Sequence, residues 1–399
     1  MNDLIVSIFL NGRFQYDAGN IFMQMLANEL EKKVQVFRID VSQPENQVIE
    51  MMNMAIQIRS TCFLAYNGIF SELKYGQDQS LYDGTNIPML AWLVDHPLHH
   101  RSRLEAAGKR VIVGCIDKAQ TDLVEQITTQ KLSSFFCPHF ACIPSNTTLE
   151  EADPLPENSS ELRVIFPGSF GPPAETQAQK IISKSPISAE LFQVLTEAAA
   201  RDAGFDIFSA AINCLQSLNI RLSPKDLSNF LANTVLPIDG YIRAKRREEL
   251  LAAMKTVGIS VDIYGNGPEH HPAFEGHRHH GPIGFQELLN RLKYSDVLLD
   301  SGANFSNGTH ERVLTGLGLG NVVVTPKNRL WTENFDRMSE VLLYQPSATI
   351  EVAEQILALR NQKIESNWTI SGQAKQLVME KFSVSSTANT ILDVLSLEI

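Results

Sequence analysis

The chain has 399 residues, 44% hydrophobic and 20% charged, which is enough for two domains that each bury a full core. Its net charge of -11 speaks against a nucleic-acid-binding surface, and no apolar run approaches the roughly 18 residues of a membrane span. The opening MNDLIVSIFLNG lacks a basic n-region and a small-residue cleavage site, so it reads as a first strand, not a signal peptide.

The five cysteines, at 62, 115, 137, 142 and 214, form no CxxC pair and are odd in number. That usage fits a reducing, cytoplasmic setting. Cys62, Cys115 and Cys214 lie in apolar runs and are expected in the core. Cys137 and Cys142 flank His139 in CPHFAC, too few ligands for a metal site.

In chain order, LIVSIFL predicts a buried strand ended by Asn11-Gly12, and Ala18–Lys33 a helix. VQVFRID predicts a strand, Gln47–Ile58 a helix, and CFLAYN, MLAWLVD and VIVGCID three further strands. Strands separated by helices imply parallel βαβ units. Runs apolar on both faces imply a sheet covered on both sides. The acidic, Pro-bearing stretch Leu149–Glu161 reads as a linker.

LRVIFPGS then predicts a strand and turn. About Pro186–Leu236 carries only helical pattern and reads as an insertion. The alternation resumes with a helix at Gly240–Thr256, the strand and turn SVDIYGNG, the helix FQELLNRLKYS and the strand DVLLDSG. A helix at Thr309–Leu319, the strand NVVVTP, a helix at Ile350–Arg360 and a helical tail complete the chain. The expected fold class is α/β. Its domains are 1–150, 162–385 with a helical insertion at about 186–236, and a C-terminal helix at 386–399 that packs back on the first domain. Two Rossmann-like domains with parallel sheets would face a central cleft, with ligands beyond the carboxyl ends of the strands.

The segment after the strand ending at Asp300 is the richest in chemistry. Its Gly/Ser/Asn loop, with Asn304, Asn307 and Gly308, runs into a helix at Thr309, followed by His310, Glu311 and Arg312. A helix N-terminus offers N–H donors and a positive dipole end to a phosphate. Arginine adds a bidentate donor, and Glu311 suits either the dipole or a ribose hydroxyl. The bland alternative is a βαβ turn capped by Thr309. Gly265, Asn266 and Gly267 after one strand permit close backbone approach to a ligand or a turn with positive φ, and the loop of Gly281 and Gly284 before a helix could frame a nucleotide base. The basic run Arg243–Arg247 reads either as a solvated helix face or, through Arg243 and Arg247, as a second source of phosphate contacts. The histidine-rich run 270–280 matches no zinc spacing and reads as a loop near the pyrophosphate or as plain surface.

In the first half, Asp17 opens the first helix. It is either its N-cap or a base for an acceptor hydroxyl. Asp95 and His96 end a strand and form a second acid/base candidate.

The order Gly265-x-Gly267, Gly281 with Gln286-Glu287-Leu288, Ser295-Asp296-Val297, Asn304-Phe305 with Gly308-x-His310-Glu311-Arg312-Val313, and Gly320 resembles the CgeB-like glycosyltransferases, bacterial members of the GT-B superfamily. The resemblance covers about residues 239–326, including Asp239, Arg243 and the Arg246-Arg247 helix, and reaches the first half only as a fold pattern. It implies a nucleotide-diphosphate sugar donor bound by the C-terminal domain, a saccharide, lipid-linked or protein acceptor, and neither a cofactor nor an obligatory metal. Thr315 stands where many GT-B enzymes carry a ribose-binding Glu, five residues before the final Gly. Rival readings are a GT-B-like nucleotide-binding scaffold without catalysis and a nucleotide-sugar epimerase. A dinucleotide oxidoreductase is disfavoured because no GxGxxG follows the first strand.

Overall fold

The computed structural model describes residues 4–10, 17–143, 162–302, 305–365 and 371–398. The chain divides into two compact units. One comprises Met1–Phe140, Asn219–Ala232 and Phe382–Ile399, the other Ala141–Leu218 and Asn233–Lys381. The proposed linker 149–161, most of the loop before Asp17, and Asn304 lie outside the described residues.

The first unit begins with β1 (Ile5–Leu10), α1 (Ala18–Leu30), β2 (Gln35–Asp40), α2 (Glu45–Gln57) and β3 (Cys62–Tyr66). A small antiparallel hairpin, β4 (Lys74–Tyr75) and β5 (Gln79–Ser80), leads to α3 (Leu81–Thr85). β6 (Met89–Leu93), α4 (Arg101–Ala106), β7 (Val111–Cys115), α5 (Lys118–Ile127) and β8 (Ser134–Phe136) follow. The sheet order is β2-β1-β3-β6-β7-β8, parallel throughout. Every residue of β3, β6 and β7 is buried, as strands covered on both faces require. Trp92 at the end of β6 is fully buried, stacks on Phe140, and donates its indole N–H to Cys137 O at 3.2 Å.

The second unit starts with β9 (Val164–Pro167), α6 (Ala174–Ile182), α7 (Pro186–Arg201) and α8 (Ile207–Ser217). α9 (Pro224–Phe230), which groups with the first unit, precedes α10 (Leu236–Thr256). Then come β10 (Val261–Tyr264), β11 (Arg278–Gly281), α11 (Phe285–Lys293), β12 (Val297–Leu299), α12 (Glu311–Leu319) and β13 (Val322–Pro326). The chain closes with α13 (Arg329–Asn334), β14 (Val341–Tyr344), α14 (Thr349–Ile364), α15 (Gln373–Lys381) and α16 (Val384–Glu398). This second sheet is also parallel and six-stranded, in the order β11-β10-β9-β12-β13-β14. The expected pair of Rossmann-like α/β units is therefore observed. α16 lies in the first unit, where it packs on α1 and Thr387 Oγ1 donates to Pro138 O at 3.3 Å.

Several local expectations need correction. The helix after the Gly/Asn loop starts at Glu311 with His310 at its N-cap, so Thr309 is not the cap. A π-helical turn, Leu231–Val235, runs straight into α10, which starts four residues earlier than the pattern suggested. Part of the histidine-rich run is the edge strand β11, paired to β10. Cys214 is exposed, because α8 buries the opposite face through Ile207, Phe208, Ala211 and Ile212. Cys62 is buried as expected, and burial pushes its thiol up to about 12.

Gly265 shows how tightly the strand ends of the second unit meet. Its φ is +157°, and a Cβ there would lie 2.3 Å from Gly168 O. Gly281 also has positive φ, +75°, but nothing lies within 4 Å of an added Cβ. Gly265→Ala is therefore expected to cost about 3 kcal/mol or more, and Gly281→Ala only about 1 kcal/mol, in urea unfolding. Equal costs would contradict this packing.

Candidate functional site

A parallel sheet puts all its carboxyl strand ends on one edge, so loops that are distant in sequence meet there. In the second unit these are the loops after β9, β10, β11 and β12.

The loop after β12 is held by buried polar groups. Asp300 donates its N–H to Val324 O at 2.8 Å. Its Oδ2 accepts from Gly302 N at 3.0 Å and from Thr325 Oγ1 at 3.1 Å. Tyr344 OH donates to Asp300 O at 3.2 Å. Asn328, from beyond β13, donates through Nδ2 to Phe305 O at 3.1 Å and Gly308 O at 2.9 Å. Its Oδ1 accepts from Trp331 N at 3.1 Å, capping α13. Asn328 thus sets the path of the loop bearing Asn307, Gly308 and Thr309. Its only sequence signal was a cap-like Asn between a strand and a short helix.

At the head of α12, Arg312 Nε donates to His310 Nδ1 at 3.2 Å, and a second guanidinium nitrogen donates to Pro167 O at the end of β9. The buried Glu311 carboxylate lies against the same His310 nitrogen. Arg312 therefore bridges the α12 head to the β9 loop.

α10 brings two further guanidinium groups. Arg247 donates to Ser169 O and lies 5.9 Å over the Phe170 ring. Arg243 pairs with Asp239 at 3.1 Å. Burial first, then Arg312 and Arg243, lower Arg247 from its usual value to about 10, against Asp300 and Asp239. Like charges crowded at partly buried positions form a receptive site for an anion. Arg243 and Arg247 line a pocket of about 280 Å³ with Phe170, Gln177, Gly240 and His271. The basic run is thus not a uniform solvated face. Arg246 is buried and donates to Ala203 O at 3.0 Å and Ala199 O at 3.0 Å, closing the end of α7.

The loop after β10 serves first as scaffold. Phe170 N donates to Asn266 O at 2.6 Å, Asn266 N to Ser169 Oγ at 3.2 Å, and Gly265 N to Gly281 O at 2.9 Å. A Cβ on Gly267 would sit 2.6 Å from Phe274 Cζ. The close approach of Gly265, Asn266 and Gly267 is therefore to protein. Gly284 caps α11 with nothing within 4 Å of an added Cβ. In the histidine-rich run, His271 Nδ1 accepts from Ala273 N at 3.2 Å, and His277 contacts Leu251 O at 2.9 Å. Burial lowers the pKa of both rings. Among the described residues no group of three or more His, Cys, Asp or Glu is placed to hold a metal ion.

Thr315 is almost fully buried, and its Oγ1 accepts from Cys142 N at 2.9 Å. A Cβ on Gly318 of the same helix would lie 2.4 Å from Ile143 Cδ1. Residues 141–143 thus cover the α12 face on which a ribose-binding Glu was expected.

In the first unit Asp17 is the N-cap residue of α1 with φ 71°, but its side chain makes no capping bond. Asp95 follows β6 and accepts from Asn67 Nδ2 at 2.9 Å. His96 is buried, and its Nδ1 accepts from Leu98 N at 3.3 Å. Sequence patterns singled out neither Asn67 nor His100, which lies 3.7 Å from Asp95.

Residues 245–393 match the family model described as glycosyl transferase-like. A search of curated proteins gave no match. Among solved structures, sucrose-phosphate synthase from Thermosynechococcus elongatus aligns at 10% identity over 99% of this chain and 98% of that one, with TM-score 0.51. HepE from Anabaena in complex with UDP aligns at 12% identity over 98% and 99%, with TM-score 0.48. WaaG, a glycosyltransferase involved in lipopolysaccharide biosynthesis, aligns at 10% identity over 98% and 99%, with TM-score 0.46. The chain has the GT-B fold and a glycosyltransferase-like C-terminal region. Among the described residues no helix is long and apolar enough to cross a membrane.

Asn328→Ala would orphan two loop carbonyls and uncap α13. It is expected to cost about 2–3 kcal/mol and to speed hydrogen exchange at residues 305–310 beyond the rest of the unit. Protection unchanged in that loop would show that Asn328 does not hold it.

Proposed function

We propose that this chain is a CgeB-like glycosyltransferase, moving a sugar from a nucleotide-diphosphate donor to an acceptor hydroxyl without a metal ion or cofactor. The supporting observation is the convergence of Arg247 with Arg312 and Arg243: burial first, and then the repulsion of these two groups, lowers Arg247. A diphosphate offset against these groups relieves that repulsion. It also gains charge as the sugar–oxygen bond breaks, so donors aimed at it lower the barrier. The glycosyl transferase-like match, which includes Arg247 and Arg312, supports the same reading.

In this reading Arg312 and Arg247 hold the diphosphate, and Arg243, tied to Asp239, completes the positive field. Main-chain amides at Asn307–Thr309 and the head of α12 add donors. His310 orients Arg312, and Glu311 takes the ribose in place of the missing Glu. The backbone between Gly281 and Gly284 frames the base. Asp17, Asp95 and His96 are the candidates for activating the hydroxyl of a saccharide, lipid-linked or protein acceptor in the cytoplasm.

One observation favours a second reading, a nucleotide-binding scaffold: Thr315 is committed to Cys142. Titration calorimetry with a nucleoside diphosphate beside a donor-hydrolysis assay separates the two, since binding without turnover means a scaffold.

A thermal-shift screen of UDP, GDP, dTDP, ADP and CMP derivatives tests the donor site directly. A ligand at 100 times its Kd should add about 2.7 kcal/mol of stability, and no shift with any of them refutes the proposal. Arg312→Ala should weaken a nucleoside diphosphate at least about tenfold more than its nucleoside. Arg247→Gln should remove most of the diphosphate-induced shift while changing the stability of the free protein by under about 1 kcal/mol, because it also removes a like-charge contact. Equal losses of nucleoside and nucleotide binding would mean that these arginines do not meet phosphate.

A further inference from the structure

The sheet of the first unit has one long open edge. β2 is its end strand, paired to β1 on one side only. It has six residues, whereas the strands at the other sheet ends have three in β8 and four each in β11 and β14. An open edge offers N–H and C=O groups to another strand, and proteins blunt it with Lys, Pro or a bulge. β2, QVFRID, has none of these, and its register with β1 runs unbroken over all six residues. Its one cation is held within its own unit. Arg38 donates to both Glu31 carboxylate oxygens at 2.9 Å and to Asn28 Oδ1 at 3.0 Å.

The helix that packs on this strand, α2, is apolar over most of its circumference. Val48 and Ala55 are buried, and Met51, Met52 and Ile56 are partly buried against the same core. Beyond these, Ile49 is 50% exposed, Met54 51%, and Ile58 at the C-cap 41%. Met51, Met54 and Ile58 follow one another at spacings of three and four, so they form one stripe. An apolar face this wide exceeds what one sheet covers. The charges on α2 are segregated. Glu45 and Glu50 are exposed in its first half, and Arg59 is exposed just past its C-cap. None of the three has a partner among the described residues.

We infer that this face joins two copies of the chain about a two-fold axis, β2 against β2 and α2 against α2. One operation sets both contacts. A two-fold axis normal to the sheet makes the paired strands antiparallel, and it makes the two helices antiparallel as well. Antiparallel helices bring Arg59 of each copy toward the acidic half of the other helix, with Glu45 and Glu50, and Met54 and Ile58 lie between. Opposite charges at the two ends of one helix make the face complementary to itself. An anionic lipid surface or an acidic partner would instead meet Glu45 and Glu50. The strand and the helix are each about 20 Å long, so both can run the length of one contact. The face lies within one unit and uses no residue of the donor site, so it stands or falls apart from the glycosyl-transfer reading.

Sedimentation velocity of the full chain from about 1 to about 100 μM reads self-association directly. The expected result is a concentration-dependent dimer. Met54→Asp should raise its dissociation constant at least about tenfold, and Arg59→Glu by a similar factor. Adding Glu45→Lys and Glu50→Lys to Arg59→Glu should return it to within about threefold of wild type. A wild-type monomer at the highest concentration overturns the inference. So does a dimer that Met54→Asp leaves intact, or a triple variant no tighter than Arg59→Glu. Hydrogen exchange of the wild-type chain decides the matter without any variant. Amides at residues 35–40 and 49–59 should exchange at least about threefold more slowly at the higher concentration. Equal rates at both concentrations overturn the inference as well.

Discussion

Burial of the Arg247 guanidinium close to those of Arg312 and Arg243 is the constraint that the contacts around it in the second unit answer. Arg247 and Arg243 come from α10 and Arg312 from α12, elements far apart in sequence. Free in water, such groups would separate. Here each is tied down, Arg312 by Pro167 O and His310, Arg247 by Ser169 O and the Phe170 face, Arg243 by Asp239. The folded chain thus gathers positive charge at the carboxyl edge of its sheet.

Holding that arrangement requires a rigid frame. The frame consists of main-chain and side-chain contacts between loops, not of a single loop. Gly265 lets the β10 loop press against Gly168 of the β9 loop, where any Cβ would collide. Asn328 and Asp300 use buried side-chain polar atoms to satisfy loop carbonyls and amides that no secondary structure reaches. Thr315 and Gly318 let residues 141–143 lie against α12. Thr315 is therefore used in packing, its hydroxyl taken by the Cys142 amide.

The first unit follows the same logic with a different chemistry. The Asp95 carboxylate and Asn67 amide at its strand ends are hydrogen-bonded, and the Arg103 guanidinium of α4 links Asn67 O to His100. Asn67 and Arg103 are 36 residues apart, and only the adjacency of β3 and β6 with α4 brings them together. Asp95 and His96, neighbours in sequence, instead diverge, the first toward Asn67 and the second to cap its own turn.

The sequence by itself determined the two parallel α/β units, because runs such as CFLAY, MLAWL and VVVTP are apolar on both faces and no other environment suits them. It also marked the segment from Asp300 to Arg312, because its Ser, Asn and Gly residues, with a following His and Arg, are local features of one loop and one helix start. Tertiary structure alone decided that Arg247 comes near Arg312, that Arg246 beside it is buried as a helix cap, that Thr315 faces Cys142, and that His100, not His96, stands by Asp95. Periodicity reports which face of an element is apolar. Which side chains meet across strand ends depends on sheet order and loop path, and those are set by packing between segments that the chain order keeps apart.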